Sequence, residues 1–345
     1  MGGRLNKGLE SLKGEMKKTK ALGLLSGGLD STLAVKLLLD QGIDVEAINF
    51  VSPFCLCGKG GCGASGVAKE FGIPLKVVSV GEEYLKVVRA PKHGYGRNMN
   101  PCIDCRIFML KRAKKYAREI GASFIFTGEV LNERPMSQHL RALETIEKEA
   151  GLKGKILRPL SSKLLPETMA ERRRLVDRQK LSDIRGRSRK KQFELAKKYN
   201  IVDYPCPAGG CLLTYKEFAD KLRDLLKHRK RVSLKDIALL KSGRHFRFMK
   251  NKIIVGRNEA ENRTLLQLKA PNDYRFEVPD CGSPTTILQG SKTLKAIKKA
   301  AGLTAYYSDN EAEMILVKYG PSDFVKSITV SAPTRSEVEK LRVTR

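Results

Sequence analysis

No stretch of this 345-residue chain approaches the roughly 18 uncharged apolar positions that a membrane-spanning helix needs. The opening MGGRLNKGLESLKGEMKKTK holds no apolar h-region either. No secretory signal is therefore expected, and a cytoplasmic protein without membrane contact is. Repeats of roughly 20–50 residues are missing, which argues against a solenoid or propeller. Acidic side chains are scarce, with 37 Asp and Glu against 66 Lys and Arg, a formal charge of +29. A field of that sign attracts polyanions, RNA first among them in a cytoplasm. Lysine-rich surfaces also mark proteins of heat-loving organisms, but those usually carry matching glutamates. The four histidines (His93, His139, His228, His245) show no metal-ligand spacing and read as incidental.

What is present is a globular composition, 41% hydrophobic, and a chain long enough for two domains. The eight cysteines are clustered. Cys55, Cys57 and Cys62 lie together, as do Cys102 with Cys105 and Cys206 with Cys211, and only Cys281 stands alone. In a chain of cytosolic character such spacing points to metal or redox chemistry more than to disulfides.

From residue 20 the pattern alternates. KALGLLS, IDVEAINF, PLKVVSV, ASFIFTGE and GKILRPLS read as strands. DSTLAVKLLLDQG, GASGVAKEFGI and CIDCRIFMLKRAKKYAREIG read as helices, the last amphipathic and starting at the Cys102 and Cys105 pair, whose thiol pKa values the helix dipole is expected to lower. Strands alternating with helices imply an α/β fold with a doubly wound parallel sheet. The basic stretch from about 168 to 200 reads as helical. Beyond about residue 225 the texture changes to short alternating strands and one helix, SKTLKAIKKAAG, an α+β pattern. The expected division is a basic extension over 1–19, a nucleotide and sulfur-transfer domain over 20–225, and a basic RNA-binding domain over 226–345.

The first strand runs into LSGGLDST. Two glycines let backbone N–H groups approach an anion, and the following helix start adds partial positive charge. Ser26, Gly27, Gly28 and Ser31 can cradle a phosphate. Asp30 disfavours a bare phosphate, so its carboxylate implies a magnesium ion beside the nucleotide. The lysine of the common GxxxxGK[ST] loop is missing. Thr127, Gly128 and Glu129 follow a strand and are expected at the sheet edge where ligands bind, with Arg134, Ser137 and Gln138 after them. Arg185–Gln192 reads equally as a phosphate contact or a solvated face.

SGGLDS in a strand–loop–helix context resembles the pyrophosphate loop of the PP-loop ATPases, the adenine nucleotide α-hydrolase group. The resemblance implies ATP cleavage between the α and β phosphates and adenylation of a carbonyl oxygen. NPCIDC with a distal cysteine resembles the tRNA 2-thiouridylases. GEVLNERPMSQ, LRPLS, GRSRKKQ and PAGGCLLT look more like the 4-thiouridine-synthase-type proteins that lack a THUMP domain. The match runs over about 20–225 and implies Cys102, Cys105 and Cys211 as the sulfur-handling set. The expected chemistry is a [4Fe–4S] cluster on those thiolates with one iron open, Cys206 being an alternative fourth ligand; the alternatives are a persulfide resolved as a disulfide and a structural zinc that adds Cys206. C-x-C-x₄-C at Cys55, Cys57 and Cys62 offers a second metal or sulfur-relay site, or simply reduced loop thiols.

NKIIVGRNEAENRTLLQL resembles the RNA-binding module of the NFACT proteins. Its basic residues, His228–Arg231, Lys241, Arg244, Arg247, Lys250, Lys252 and Arg257, suit a phosphate-tracking surface. Phe246, Phe248 and Tyr274 are candidates for base stacking, although strand alternation buries one side. The combined expectation is an ATP-dependent tRNA sulfurtransferase taking sulfur from sulfide or a persulfide carrier. Its product is expected to be 4-thiouridine, with 2-thiouridine as the other choice. The rivals are a silent nucleotide- and RNA-binding protein, and an amide ligase that would leave the cysteines unexplained.

Overall fold

The computed structural model describes residues 19–56, 63–202 and 210–344. Cys57, Cys62, Cys206 and most of the basic N-terminal extension lie outside these residues. The chain divides into two compact units, one formed by 1–96 with 101–211 and the other by 97–100 with 212–345.

The first unit runs β1 (Lys20–Leu24), α1 (Leu29–Leu39), β2 (Asp44–Val51), α2 (Ala64–Glu70), β3 (Leu75–Ser79), α3 (Glu82–Arg89), α4 (Cys102–Glu119), β4 (Phe124–Thr127), α5 (Leu140–Ala150), β5 (Ile156–Leu157), α6 (Met169–Arg172) and α7 (Lys190–Lys198). The five strands are parallel in the order β3-β2-β1-β4-β5. Strand order reverses at β1, whose neighbours are β2 on one side and β4 on the other. Loops leaving β1 and β4 at their C-terminal ends therefore diverge and open a crevice, the usual ligand position in such sheets. Leu24 and Thr127 are register partners at that edge. In α4, Ile107, Leu110, Ala113 and Ala117 are buried, a helical stripe covering one face. Burying Ile107 and Leu110 contributes about 1.5–3 kcal/mol each.

The 168–200 stretch is not one helix. A capping box at Thr168–Glu171 starts α6, but Arg174 takes a left-handed backbone (φ 54°) and ends it. Its buried apolar residues, Val176, Leu181 and Ile184, lack helical spacing, and regular helix resumes only at α7. Helices α3 and α5 were not among the expected elements.

The second unit comprises α8 (Lys216–His228), α9 (Leu234–Leu240), β6 (Arg244–Phe248), β7 (Asn251–Val255), α10 (Glu259–Leu268), β8 (Tyr274–Glu277), β9 (Thr286–Gln289), α11 (Leu294–Tyr306), β10 (Ile315–Gly320), β11 (Lys326–Val330) and α12 (Arg335–Leu341). Its six-stranded antiparallel sheet has the order β11-β10-β8-β9-β7-β6. Alternation separates Ile253 and Val255, which join one core with Ala296 and Leu303 of α11, from Ile254, which joins another with Leu239 and Leu265. Helix α8 passes through position 225 and belongs to this unit.

Candidate nucleotide loop and cysteine site

The loop after β1 is tied down by its own serines. Ser31 Oγ donates to the Gly28 carbonyl at 2.8 Å and lies 3.1 Å from Ser26 Oγ. Gly28 caps α1 without a side-chain hydrogen bond. Gly27 has φ +77°, and a Cβ there would stand 2.3 Å from the backbone nitrogen of Ala64, so only glycine suits the turn.

Ser26, Gly28, Asp30, Ser31, Thr127, Gly128 and Glu129 line one cleft with Arg106, Arg134 and Gln138. Its enclosed volume of about 60 Å³ suits a phosphate group rather than a nucleoside. A larger cavity of about 710 Å³, lined by Glu147, Arg158 and Glu171 among others, contains none of the loop residues. Chemistry rather than size selects the smaller cleft. Asp30 Oδ1 is buried without a hydrogen-bond partner. Burial and the neighbouring Glu133 push its carboxyl up to about 6 against the pull of Arg189, whose Nη2 is 3.9 Å away. An orphaned carboxylate oxygen on a residue that lines a phosphate-sized cleft fits a magnesium ion. Arg189 also pairs with Glu133 at 2.8 Å, so this part of Arg185–Gln192 reaches the Asp30 carboxylate, and Gln192 is buried. Ser137 is buried, and Gln138 Oε1 accepts from the Arg134 N–H at 2.9 Å, closing the turn that carries Arg134.

The pairing at the cleft floor was not foreseen. Glu129, 2% exposed, meets Arg106 Nε at 3.2 Å and Arg158 Nε at 3.1 Å. Burial alone would raise its pKa, but the two guanidiniums prevail and hold the carboxyl below its ordinary value. Arg106 follows Cys105 directly on α4, so the helix that starts with the cysteine pair also reaches this cleft.

Cys102 is the first residue of α4, as expected, but the helix start does not lower the thiols. Burial pushes Cys102 up, with Arg134 and Arg106 opposing. Burial pushes Cys105 up too, with the Tyr84 hydroxyl and Arg106 opposing. Desolvation outweighs the helix dipole here. Tyr84, from α3, is the residue that sequence reasoning missed. Its ring is 2% exposed and lies 6.0 Å from that of Phe54 and 5.5 Å from that of Phe108. Burial first, then Cys105, Cys211 and Cys102, drive its phenol far above the usual range, so the hydroxyl keeps its proton beside these thiols. Cys102, Cys105 and Cys211 thus all act electrostatically on one hydroxyl. Cys55, expected in a separate site, forms an antiparallel bridge with Cys211 and acts electrostatically on Cys105. Among the described residues no three Cys, His, Asp or Glu side chains are grouped to hold a metal ion. The described thiols as placed do not form the cluster set, and the zinc set adds Cys206, which lies outside the described residues.

The protein is similar in its two parts to two families. Residues 16–165 match the family described as "Thiamine biosynthesis protein (ThiI)", and residues 243–342 match "NFACT protein RNA binding domain". The N-terminal unit is ThiI-like and the C-terminal unit NFACT-R-like. The tRNA-specific 2-thiouridylase MnmA of Syntrophotalea carbinolica is 37% identical over 125 residues, 32% of this chain and 35% of that protein. The chain thus spans about a third of the length of this curated relative. A 4-thiouridine synthetase in complex with RNA and ATP is 24% identical over 65% of this chain and 52% of that one, with a TM-score of 0.34. The U34-tRNA thiolase NcsA of Methanococcus maripaludis, solved with its [4Fe–4S] cluster, is 20% identical over 65% of this chain and 71% of that one, with a TM-score of 0.32.

In the NFACT-R-like unit several basic candidates turn inward. Lys252 is 4% exposed and lies 3.4 Å from Asp224; burial pushes its amine down to about 8 despite that partner. Arg247 binds Asp224 at 2.5 Å, Arg257 binds Glu261 at 2.5 Å, and Arg229 binds Asp236 at 2.5 Å. Phe246 is wholly buried and cannot stack on a base, while Phe248 and Tyr274 are half-buried. Arg231, Lys241 and Lys250 are exposed. Histidines take structural posts: His139 Nδ1 accepts from the Ala142 N–H to cap α5, and His245 Nε2 lies 2.8 Å from the Ser242 carbonyl. No described helix is long and apolar enough to cross a membrane.

Proposed function

We propose that this chain thiolates a uridine of tRNA at the expense of ATP, with the carbonyl oxygen first adenylated and pyrophosphate released. The observation that carries this reading is the convergence on α4. The N-terminal end of that helix brings Arg106 to the cleft of Ser26–Ser31, and its Cys102 and Cys105 share with Cys211 the electrostatic neighbour Tyr84. ATP would lie with its phosphates against Ser26, Gly27, Gly28 and Ser31, with Thr127 and Gly128 across the crevice, and Asp30 would hold magnesium. The metal neutralises phosphate charge when bound. Arg106 and Arg134 stabilise the charge that develops at the α-phosphate. As AMP the former carbonyl oxygen leaves readily, and sulfur carried on Cys102, Cys105 or Cys211 takes its place. Residues 226–345, with their exposed lysines and arginines, hold the tRNA.

The test is reconstitution with ATP, magnesium, tRNA and a persulfide donor, read by mass spectrometry of the nucleosides. The expected product is 4-thiouridine. Absence of any thiolated nucleoside would leave a nucleotide- and RNA-binding protein. Because the described thiols do not fit a metal set, sulfur is routed through thiols. Anaerobically purified protein is expected to be fully active with iron well below stoichiometric. Iron that rises and falls with activity across Cys102→Ser, Cys105→Ser and Cys211→Ser would put a [4Fe–4S] cluster in its place.

A second expectation concerns the RNA surface. Arg231→Glu, Lys241→Glu and Lys250→Glu combined should weaken tRNA binding at least about tenfold at low salt. The slope of log affinity against log salt should become shallower by roughly 0.7–0.9 per lost phosphate contact. Lys252→Met should leave both unchanged, since that amine is spent on Asp224. Filter binding across a salt series measures both.

A further inference from the structure

Cys55 and Cys211 stand opposite each other across an isolated antiparallel bridge. The Leu56 N–H donates to the Gly210 carbonyl at 3.2 Å, a bond between the residue after Cys55 and the residue before Cys211. That pattern makes Cys55 and Cys211 a non-hydrogen-bonded pair, the narrow kind, with Cα atoms about 4.5 Å apart and side chains on one face. Disulfides span Cα separations of about 4.4–6.8 Å, so this geometry accepts one without moving the backbone. The close approach is built in. A Cβ on Gly210 would stand 2.7 Å from Leu56 Cβ, so a larger residue would force the segments apart. Ser52 fixes the attacking sulfur, with its N–H donating to Cys55 Sγ at 3.3 Å and its hydroxyl at 3.5 Å.

We propose that Cys55 is the resolving cysteine for Cys211, closing a Cys55–Cys211 disulfide in each turnover. This rests on the thiolation reading and names a residue of that site. The persulfide Cys211–S–S⁻, charged by a persulfide carrier, attacks the adenylated uridine carbon and AMP departs with the C–O electron pair. The product is a Cys211–S–S–C mixed disulfide. The Cys55 thiolate then attacks Cys211 Sγ; the S–S bond breaks, its electron pair goes to the sulfur on the base, and the thiocarbonyl is released. The two cysteine sulfurs are oxidised together by two electrons, and the transferred sulfur is reduced by two. An external dithiol reduces the disulfide and resets the pair.

The experiment is a single turnover of persulfide-charged full-length protein with ATP and tRNA, without reductant. It is followed by peptide mapping of disulfides and nucleoside analysis. Wild type is expected to yield a Cys55–Cys211-linked peptide in proportion to thiouridine, and dithiothreitol should reopen it. Cys55→Ser is expected to accumulate a protein–tRNA adduct that dithiothreitol cleaves, a gain that a misfolded variant could not produce. Thiouridine formed with a Cys102–Cys211 or Cys105–Cys211 link, with no link, or at the wild-type multiple-turnover rate by Cys55→Ser overturns the assignment alone. No thiouridine from wild type overturns the thiolation reading, and this role with it.

Discussion

Asp30→Asn is expected to slow pyrophosphate release from ATP at least about a hundredfold, the scale on which loss of one preorganised electrostatic group acts. It should leave tRNA affinity unchanged, because RNA is assigned to the other unit. The same substitution should raise the stability of the ligand-free protein. Burial and Glu133 hold the Asp30 carboxyl up at about 6 in the fold, against an ordinary value of 3.8. The folded state therefore binds a proton more tightly than the unfolded chain, and this group's contribution falls as pH rises from about 4 through 6. Above that window the ionised carboxylate costs on the order of 2–3 kcal/mol. Asparagine removes the cost, so the variant should melt higher than wild type at pH 7.5, the difference closing as pH falls toward 4. Magnesium with ATP should stabilise wild type and not the variant. Thermal melts with and without ligand measure both. A variant that hydrolyses ATP at the wild-type rate would remove the metal role from Asp30.

Glu129→Ala should destabilise the N-terminal unit by about 3 kcal/mol, the low end for breaking a buried ion pair. Glu129 and Arg158 are almost wholly buried, and removal leaves two guanidiniums facing one missing carboxylate. The low end applies because Arg158 keeps Glu147 at 2.5 Å. For a fold stable by about 5–15 kcal/mol that is a large share. Glu129→Gln, which retains shape and one acceptor, should lose less. The activity of both should drop further than their folding, since Arg106 loses the partner that aims it at the cleft. Denaturant titration beside pyrophosphate release separates the two effects. A Glu129→Ala midpoint indistinguishable from wild type would show that the pair is not holding the floor.

Much of the fold was legible because its signals are local. The SGGLDS turn, the alternation of strands and helices, and the amphipathic helix starting at Cys102 each depend on residues within a few positions of one another. Local spacing sets backbone conformation and which face is apolar. The same local reasoning failed where burial decided. It gave Cys102 and Cys105 low thiol pKa values from the helix start, but the desolvation that reverses this depends on the shell packed around them. It took Lys252 for an RNA contact and left Phe246 open between core and base stacking, because strand alternation alone does not say which face another layer will cover.

By itself, the sequence determined the parallel α/β order, the glycine loop at Ser26–Ser31 leading from β1 into α1, and the clustering of cysteines along the chain. Only tertiary structure decided that Tyr84 stands among those thiols, that Glu129 ties Arg106 to Arg158, and that Cys55 faces Cys211. The paired residues lie 29 positions apart for Glu129 and Arg158 and more than 150 for the two cysteines. Contacts of that span are set by where the sheet puts its loops, and side-chain identity along the chain carries no record of that placement.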